Sequence, residues 1–405
     1  MNVLITPGRL SGSVRAPASK SAAHRALICA ALADRPTRVR ISALNRDIEA
    51  TLACLAALGA QLENDGDGIQ VTPIADAPVD ALLDCGESGS TLRFLLPVAC
   101  ALGVRATVVG HGRLPQRPNA ALTDALRAHG ASIDNDLLPM RLSGPIAGGR
   151  WALPGDVSSQ YVTGLLLALP LLVEDSEIVL TTKLASAAYV TMTLQALAAF
   201  GIEIIPTDTG WRVPGGQRYR SPGDLEVEGD WSAAAFWHGA NALGAGIRVE
   251  GLKADSVQGD RAVLDLLGRA EINAENVPDL VPILAAAAAS LPQTTVITGA
   301  ARLRLKESDR LATTAAMLRA LGHGCEVTPD GLVIRGGRPA PCAEGVRTVD
   351  GANDHRIVMA AAVAAAFADA PVRITGAEAV EKSYPVFFRD YQALGGIVHV
   401  EHPGQ

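Results

Sequence analysis

Two carboxylates and a ring of cations carry the chemistry in this sequence. Asp279 stands in Val277-Pro-Asp-Leu-Val-Pro282, just before the apolar run ILAAAAA, and Glu307 stands in Lys306-Glu-Ser-Asp-Arg310. One base and one acid are what addition–elimination chemistry requires. Taken singly, Asp279 reads more readily as a plain N-cap and Glu307 as a surface ion pair. The basic residues Lys20, Arg25, Arg93, Arg117, Lys306, Arg310 and Arg356 each stand beside the start of a helical pattern. Helix N-termini offer free N–H groups and a positive dipole end, so they attract phosphates and carboxylates. Serines recur at the same places, in Ser19-Lys-Ser21, Ser88-Gly-Ser90 and Ser158-Ser159. A serine there caps the helix and also donates to an oxygen anion. Such a set fits a site for a multiply anionic small molecule, or for two of them.

Lysine usage sharpens this reading. Of 35 Lys and Arg residues, only Lys20, Lys183, Lys253, Lys306 and Lys382 are lysine. A compact ammonium and a guanidinium are not interchangeable at a tight site. Lys183 and Lys253 read as drift, whereas the other three fall in the segments of interest.

The elements that must position these groups form a repeat. An Ala/Leu-rich helix, a glycine and a short strand recur around Gly59, Gly130, Gly201, Gly268, Gly322 and Gly395. Each glycine follows a helical pattern, where a left-handed C-cap residue is expected. The first, second, third and fifth copies then reach a turn and a second strand. Six copies at near-regular spacing mark a repeat architecture. Each is an α+β piece whose sheet covers buried helices, and three plus three would make two lobes. The repeats alone leave their grouping open.

Composition bounds the rest. The chain has 405 residues, 48% hydrophobic and 19% charged, with a net charge of −7. That is a globular composition and argues against a general nucleic-acid binder. The six cysteines form no CxxC and the histidines no HxxxH spacing, so no metal site and no disulfide framework is expected. The longest apolar stretches, 164–173 and 357–368, fall short of the roughly 20 residues that span a bilayer. The N-terminus shows no signal-peptide pattern. The expected setting is the reducing cytoplasm.

The motifs, taken in order, resemble those of the EPSP synthase (3-phosphoshikimate 1-carboxyvinyltransferase) family. The likeness runs from ASKSAAHRALICAALA through GESGSTLRFLLP, RLPQRPNAAL, GDVSSQYVTGLLLALPLL and GDWSAAAFW, and continues through VPDLVPILAAAA, LRLKESDRLA, DHRIVMAAAVAA and EKSYPVFF. It implies an α+β, two-lobe enolpyruvyl transferase fold with three small α/β units per lobe and an active site closing between the lobes. The first lobe would comprise residues 1–18 and 229–405, the second 19–228. The implied reaction moves the enolpyruvyl group of phosphoenolpyruvate to the 5-hydroxyl of shikimate 3-phosphate. It implies no metal or organic cofactor, no nucleic-acid or membrane partner, and a monomer.

By the same resemblance, Lys20, Ser21, Arg25, Ser158, Ser159, Gln160, Ser186, Asp279 and Lys306 match positions that hold shikimate 3-phosphate. Lys20, Gly89, Arg93, Arg117, Gln160, Arg310, His355, Arg356 and Lys382 match those that hold phosphoenolpyruvate. Asp279 is implied as the base toward the 5-hydroxyl, with Lys306 sharing that proton. Glu307 is implied as the acid toward the methylene carbon, and Lys20 and Lys382 as further catalytic groups. Glu87 and Arg302 stand where asparagine is usual, and His111 and Arg113 replace an acid and a small polar residue. The sister transferases acting on UDP-N-acetylglucosamine fit less well. Their Lys-Asn pair is Lys20-Ser21 here, and residues 104–119 contain no cysteine. A non-catalytic anion binder is the remaining alternative, against which stand Asp279, Glu307, Lys20 and Lys382.

Overall fold

The computed structural model describes residues 1–401. The chain divides into two compact units, Ala18–Glu228 and a discontinuous one made of Met1–Pro17 and Gly229–Gln405.

The 18–228 unit holds six helices: α1 (Lys20–Ala31), α2 (Arg46–Ala57), α3 (Gly89–Ala101), α4 (Ala120–Ala128), α5 (Ser159–Ala168) and α6 (Ala187–Ala199). Its three sheets share one topology. In the second, Asp80–Asp84 runs parallel to Arg105–Val109, which pairs antiparallel with Met140–Ser143 and through it with Ser132–Ile133. The other two repeat that order: one edge parallel, the rest antiparallel. A parallel pair needs a crossover, and α3 supplies it in the second sheet. Helices α1, α3 and α5 are buried along nearly their whole length, whereas α2, α4 and α6 bury one face. That difference follows from sequence: VTGLLLA in α5 offers no charged face, whereas α4 alternates as an amphipathic surface helix does.

The discontinuous unit repeats the plan with α7 (Trp231–Ala242), α8 (Val263–Leu266), α9 (Val281–Ala289), α10 (Arg310–Ala320), α11 (His355–Ala365) and α12 (Phe387–Ala393). Helices α7, α9 and α11 are its buried ones. One sheet has strands Glu271–Asn273, Thr294–Thr298, Leu332–Arg335 and Gly324–Val327 in the same parallel-then-antiparallel order. A second gives the third place to Asn2–Thr6, between Val372–Thr375 and Ile397–Glu401. The third copy is reduced to a parallel pair, Ser11–Arg15 with Gly246–Glu250. The N-terminal residues are thus strands of the unit that residue 229 re-enters.

The six repeat glycines all have positive φ, from 73° at Gly201 to 108° at Gly59. Each ends its helix in the left-handed conformation that a Cβ disfavours. Each unit has its own hydrophobic core. Truncating a buried leucine such as Leu95, Leu165 or Leu311 to alanine costs about 2–5 kcal/mol. Among the described residues no helix is long and apolar enough to cross a membrane.

Candidate active site

Within each unit, the site residues cluster at the starts of the buried helices and in the turns beside them. In the 18–228 unit, Ser19, Ser88 and Ser158 cap α1, α3 and α5 through their side-chain oxygens. Each cap is worth about 1 kcal/mol. Ordinary capping therefore accounts for Ser158, but not for the groups around it. Lys20 Nζ bonds Asp47 Oδ2 at 2.8 Å. Arg25 is buried, with Nε on Thr193 Oγ1 at 2.8 Å, Nη1 on the Ser21 carbonyl at 2.6 Å and Nη2 on the Tyr189 carbonyl at 2.8 Å. Its guanidinium lies 5.0 Å from the Phe94 ring centre. Burial lowers its pKa to about 10, which leaves it a cation at neutral pH. Ser186, before α6, is held at φ 57°. A non-glycine residue in that region is strained, and such residues gather at functional sites.

Arg93 ties α3 to its neighbours. Its Nη1 donates to Gln160 Oε1 at 2.7 Å, its Nε to Asn119 Oδ1 at 3.1 Å and its Nη2 to the Pro118 carbonyl at 3.2 Å. Gln160 Nε2 in turn donates to Ser90 Oγ at 3.0 Å. Two residues inside helices set this register. Pro97 has no N–H for the Arg93 carbonyl one turn back. Gly164 of α5 lies against that carbonyl so closely that a Cβ would collide with it. At Gly89 an added Cβ would stand 2.9 Å from Arg117 Nη1 and 3.0 Å from Arg93 Nη1. The missing side chain thus makes room for two guanidinium groups.

In the discontinuous unit the cluster is denser. Arg310 is fully buried and serves three carboxylates: Asp354 through Nε at 2.9 Å, Asp279 through Nη1 at 3.0 Å and Glu307 through Nη2 at 2.6 Å. Arg356 Nη2 bonds the other Asp279 oxygen at 2.8 Å, and Lys306 Nζ lies 3.8 Å from Asp279 Oδ1. Burial alone would raise the Asp279 carboxyl. The charges of Arg356, Lys306 and Arg310 overcome it and hold the group well below the usual carboxylate range. Burial also opposes the Arg310 charge, yet Asp354, Glu307 and Asp279 hold it firmly protonated. Lys382 is buried and bonds the Asn353 carbonyl at 2.7 Å. Ala352 and Asn353 both have positive φ, so the turn into His355 and Arg356 is strained.

The bland alternatives for the two carboxylates do not survive. Asp279 lies in the turn Pro278–Leu280, ahead of α9, which has no side-chain cap. Its oxygens face the cations of Arg310, Arg356 and Lys306. Glu307 pairs with a buried guanidinium, not on the surface. Helix α4 begins at Ala120, with Asn119 at the cap position and Pro118 just ahead of it.

The structure brings Lys20, Ser21, Arg25, Gly89, Arg93, Arg117, Ser158, Ser159, Gln160 and Ser186 into one unit. It brings Asp279, Lys306, Glu307, Arg310, His355, Arg356 and Lys382 into the other. Sequence reading missed Asp47, Asn119 and Asp354 as partners of these cations. Asp354 had a signal, since it opens the Asp354-His-Arg356 segment at a helix start. Asp47, 27 residues from Lys20, had none. Among the unusual positions, Arg302 Nη2 bonds the Glu275 carbonyl at 2.7 Å and His111 Nε2 lies 3.0 Å from Asp84 Oδ2. The Glu87 carboxylate abuts Gly112. Among the described residues no group of three or more His, Cys, Asp or Glu is placed to hold a metal ion.

A family model described as EPSP synthase (3-phosphoshikimate 1-carboxyvinyltransferase) matches residues 4–275 and 266–391. The chain is 40% identical over 431 residues to a 3-phosphoshikimate 1-carboxyvinyltransferase of Halobacterium salinarum, covering 98% of this chain and 99% of that one. It is 35% identical over 438 residues to one from Clostridium botulinum, covering 99% of each. A solved EPSP synthase from Acinetobacter baumannii superimposes with a TM-score of 0.82 at 25% identity, covering 99% of this chain and 100% of that one. The chain belongs to the EPSP synthase (3-phosphoshikimate 1-carboxyvinyltransferase) family.

Proposed function

We propose that this protein transfers the enolpyruvyl group of phosphoenolpyruvate to the 5-hydroxyl of shikimate 3-phosphate and releases phosphate, a step toward chorismate and the aromatic amino acids. The observation that carries this reading is the buried Arg310, which holds Asp279 and Glu307 within hydrogen-bond reach of one guanidinium. A base and an acid so placed act on two ends of one addition. Asp279, ionised at neutral pH, accepts the proton of the 5-hydroxyl as that oxygen attacks C2 of phosphoenolpyruvate. Lys306 beside it shares that proton. Glu307 delivers a proton to C3, which becomes a methyl group in a tetrahedral adduct. Glu307 then takes a proton back from that methyl as phosphate leaves C2 with the proton that Asp279 had accepted, which forms the enol ether. Proton gain and loss balance, and the net products are 5-enolpyruvylshikimate 3-phosphate and phosphate.

The cations have matching roles. Ser21, Arg25, Ser158, Ser159, Gln160 and Ser186 bind shikimate 3-phosphate, with Lys20 and Asp279 sharing it. Gly89, Arg93, Arg117, Arg310, His355, Arg356 and Lys382 bind phosphoenolpyruvate, with Lys20 and Gln160 shared. Arg310 is saturated by carboxylates before ligand arrives. An incoming carboxylate that takes one of its N–H groups frees Glu307 to hold a proton, and anions near Arg356 raise the basicity of Asp279. The reading expects a monomeric cytoplasmic enzyme without metal or organic cofactor.

The test is phosphate release. It should require both substrates and match enol ether formation one to one. Folded protein that releases none at saturating substrates contradicts the reading.

A further inference from the structure

Asn119 stands at the cap position of α4, and asparagine is among the residues that cap a helix best. Its side chain makes no cap bond there and is fully buried. The amide turns instead to the two arginines beside Gly89. Its Oδ1 accepts from Arg93 Nε at 3.1 Å. Its Nδ2 donates to the Arg117 carbonyl at 3.0 Å and to the Asp136 carbonyl at 3.2 Å. Only one orientation of the amide fits, because a flipped one would set donor against donor and oxygen against two carbonyls. Pro118, between the two residues, gives its carbonyl to Arg93 Nη2 at 3.2 Å and to the Tyr161 hydroxyl at 2.7 Å. The segment Arg117-Pro-Asn119 thus closes on the Arg93 guanidinium.

We propose that Asn119 is a positioning residue for phosphoenolpyruvate: its amide ties Arg93 and the Arg117 main chain into one frame and presets the two guanidinium groups to grip one anionic group of that substrate. The proposal rests on the reading of Arg93 and Arg117 as phosphoenolpyruvate ligands.

The physical reason is that the pair resists its own arrangement. Nη1 of Arg117 and Nη1 of Arg93 lie 2.9 and 3.0 Å from the single point where a Gly89 Cβ would stand. Two cations so near repel each other, and an unheld arginine side chain has many rotamers to lose. An anion that had to gather them itself would bind more weakly by the cost of that ordering. Asn119, Gln160 and Pro118 hold Arg93 through neutral oxygens. They fix its place without adding a competing negative charge, unlike the carboxylates around Arg310.

Asn119→Leu keeps the size of the side chain and removes its bonds to Arg93, Arg117 and Asp136. The KM for phosphoenolpyruvate should rise about tenfold, the loss expected of a hydrogen bond to a charged group. Over the same change, kcat and the Kd of shikimate 3-phosphate should move less than about threefold. In an Arg93→Met background the same substitution should raise that KM by no more than about threefold, because no guanidinium is left for Oδ1 to hold. An asparagine that served only the fold would multiply the KM by one factor in both backgrounds. Asn119→Ser leaves room for water beside the two carbonyls and carries the same comparison if the leucine variant does not fold. An unchanged KM for phosphoenolpyruvate, equal losses for both substrates, or equal factors in the two backgrounds would overturn the proposal. Folded wild type that neither binds nor consumes phosphoenolpyruvate overturns the reaction reading instead, and this one with it.

Discussion

Asp354 holds the guanidinium of Arg310 with both of its oxygens, at 2.9 Å to Nε and 3.2 Å to Nη2. The carboxylate is fully enclosed and also accepts from Ser308 Oγ at 2.9 Å and from the Arg356 N–H at 3.0 Å. It thus caps α11 and aims Arg310 at Asp279 and Glu307. Removing one partner of a buried pair leaves the other charge uncompensated, a loss of about 3–5 kcal/mol. Asp354→Asn should lower the urea unfolding free energy by about that amount and impair turnover as Arg310 reorients. A change of stability near zero would mean that Asp279 and Glu307 alone balance Arg310.

Gly89 faces two arginines rather than open space. A methyl there must push Arg117 and Arg93 by a few tenths of an ångström, because contacts of 2.9 and 3.0 Å are too short for a real Cβ. Gly89→Ala should raise the KM for phosphoenolpyruvate on the order of tenfold, since overpacking a tight site costs roughly 1–3 kcal/mol. Binding of shikimate 3-phosphate should change less, because Gln160 feels the displacement through its bond to Arg93 while Arg25 is held by Thr193, Ser21 and Tyr189. Equal damage to both ligands together with a lowered melting temperature would show instead that Gly89 serves only the turn into α3.

Acid should separate Asp279 from Asp260, a second buried carboxyl, in the short turn Gly259–Ala262. The Asp279 carboxyl lies below its unfolded value of 3.8, so the unfolded chain takes up the proton first. Its contribution to stability is complete above that value and is lost as pH falls through the lower, folded one. The stability gap between wild type and Asp279→Asn should be constant from pH 5 to 8 and close only in stronger acid. Asp260 runs the other way. Its folded carboxyl is raised to about 7, so its contribution is full below 3.8 and is lost as pH rises to about 7. Urea unfolding of the two Asn variants against wild type at pH 4, 6 and 8 reads both trends, and parallel curves would contradict them.

Much of this was legible in residue order because the signals were local. The six repeat glycines mark helix ends through a backbone conformation that one residue sets, and all six adopt it. The serines and cations at helix starts were equally readable, since a cap is made within three residues. The connections of the site were not readable in that way. Lys20 with Asp47, Arg93 with Gln160 and Arg310 with Asp354 are joined across 27, 67 and 44 residues. Such pairs are decided by how buried helices cross, and the crossing depends on features such as Gly164 against the Arg93 carbonyl. Asp279 shows the same limit: its spacing suited a cap, and only the cations brought to it from other turns reveal otherwise.

The central claim is that Glu307 and Asp279 carry out an addition followed by an elimination. A single-turnover reaction in deuterium oxide, read by proton NMR, tests it most directly. Glu307, exchanged with solvent, should deliver deuterium to C3, and the methyl group of the adduct should lose either isotope on elimination. The account predicts an enol ether whose methylene carries deuterium, formed with one phosphate, and a collapse of both in Glu307→Gln with shikimate 3-phosphate binding retained. An enol ether formed without deuterium, or near-normal turnover in Glu307→Gln, would contradict it.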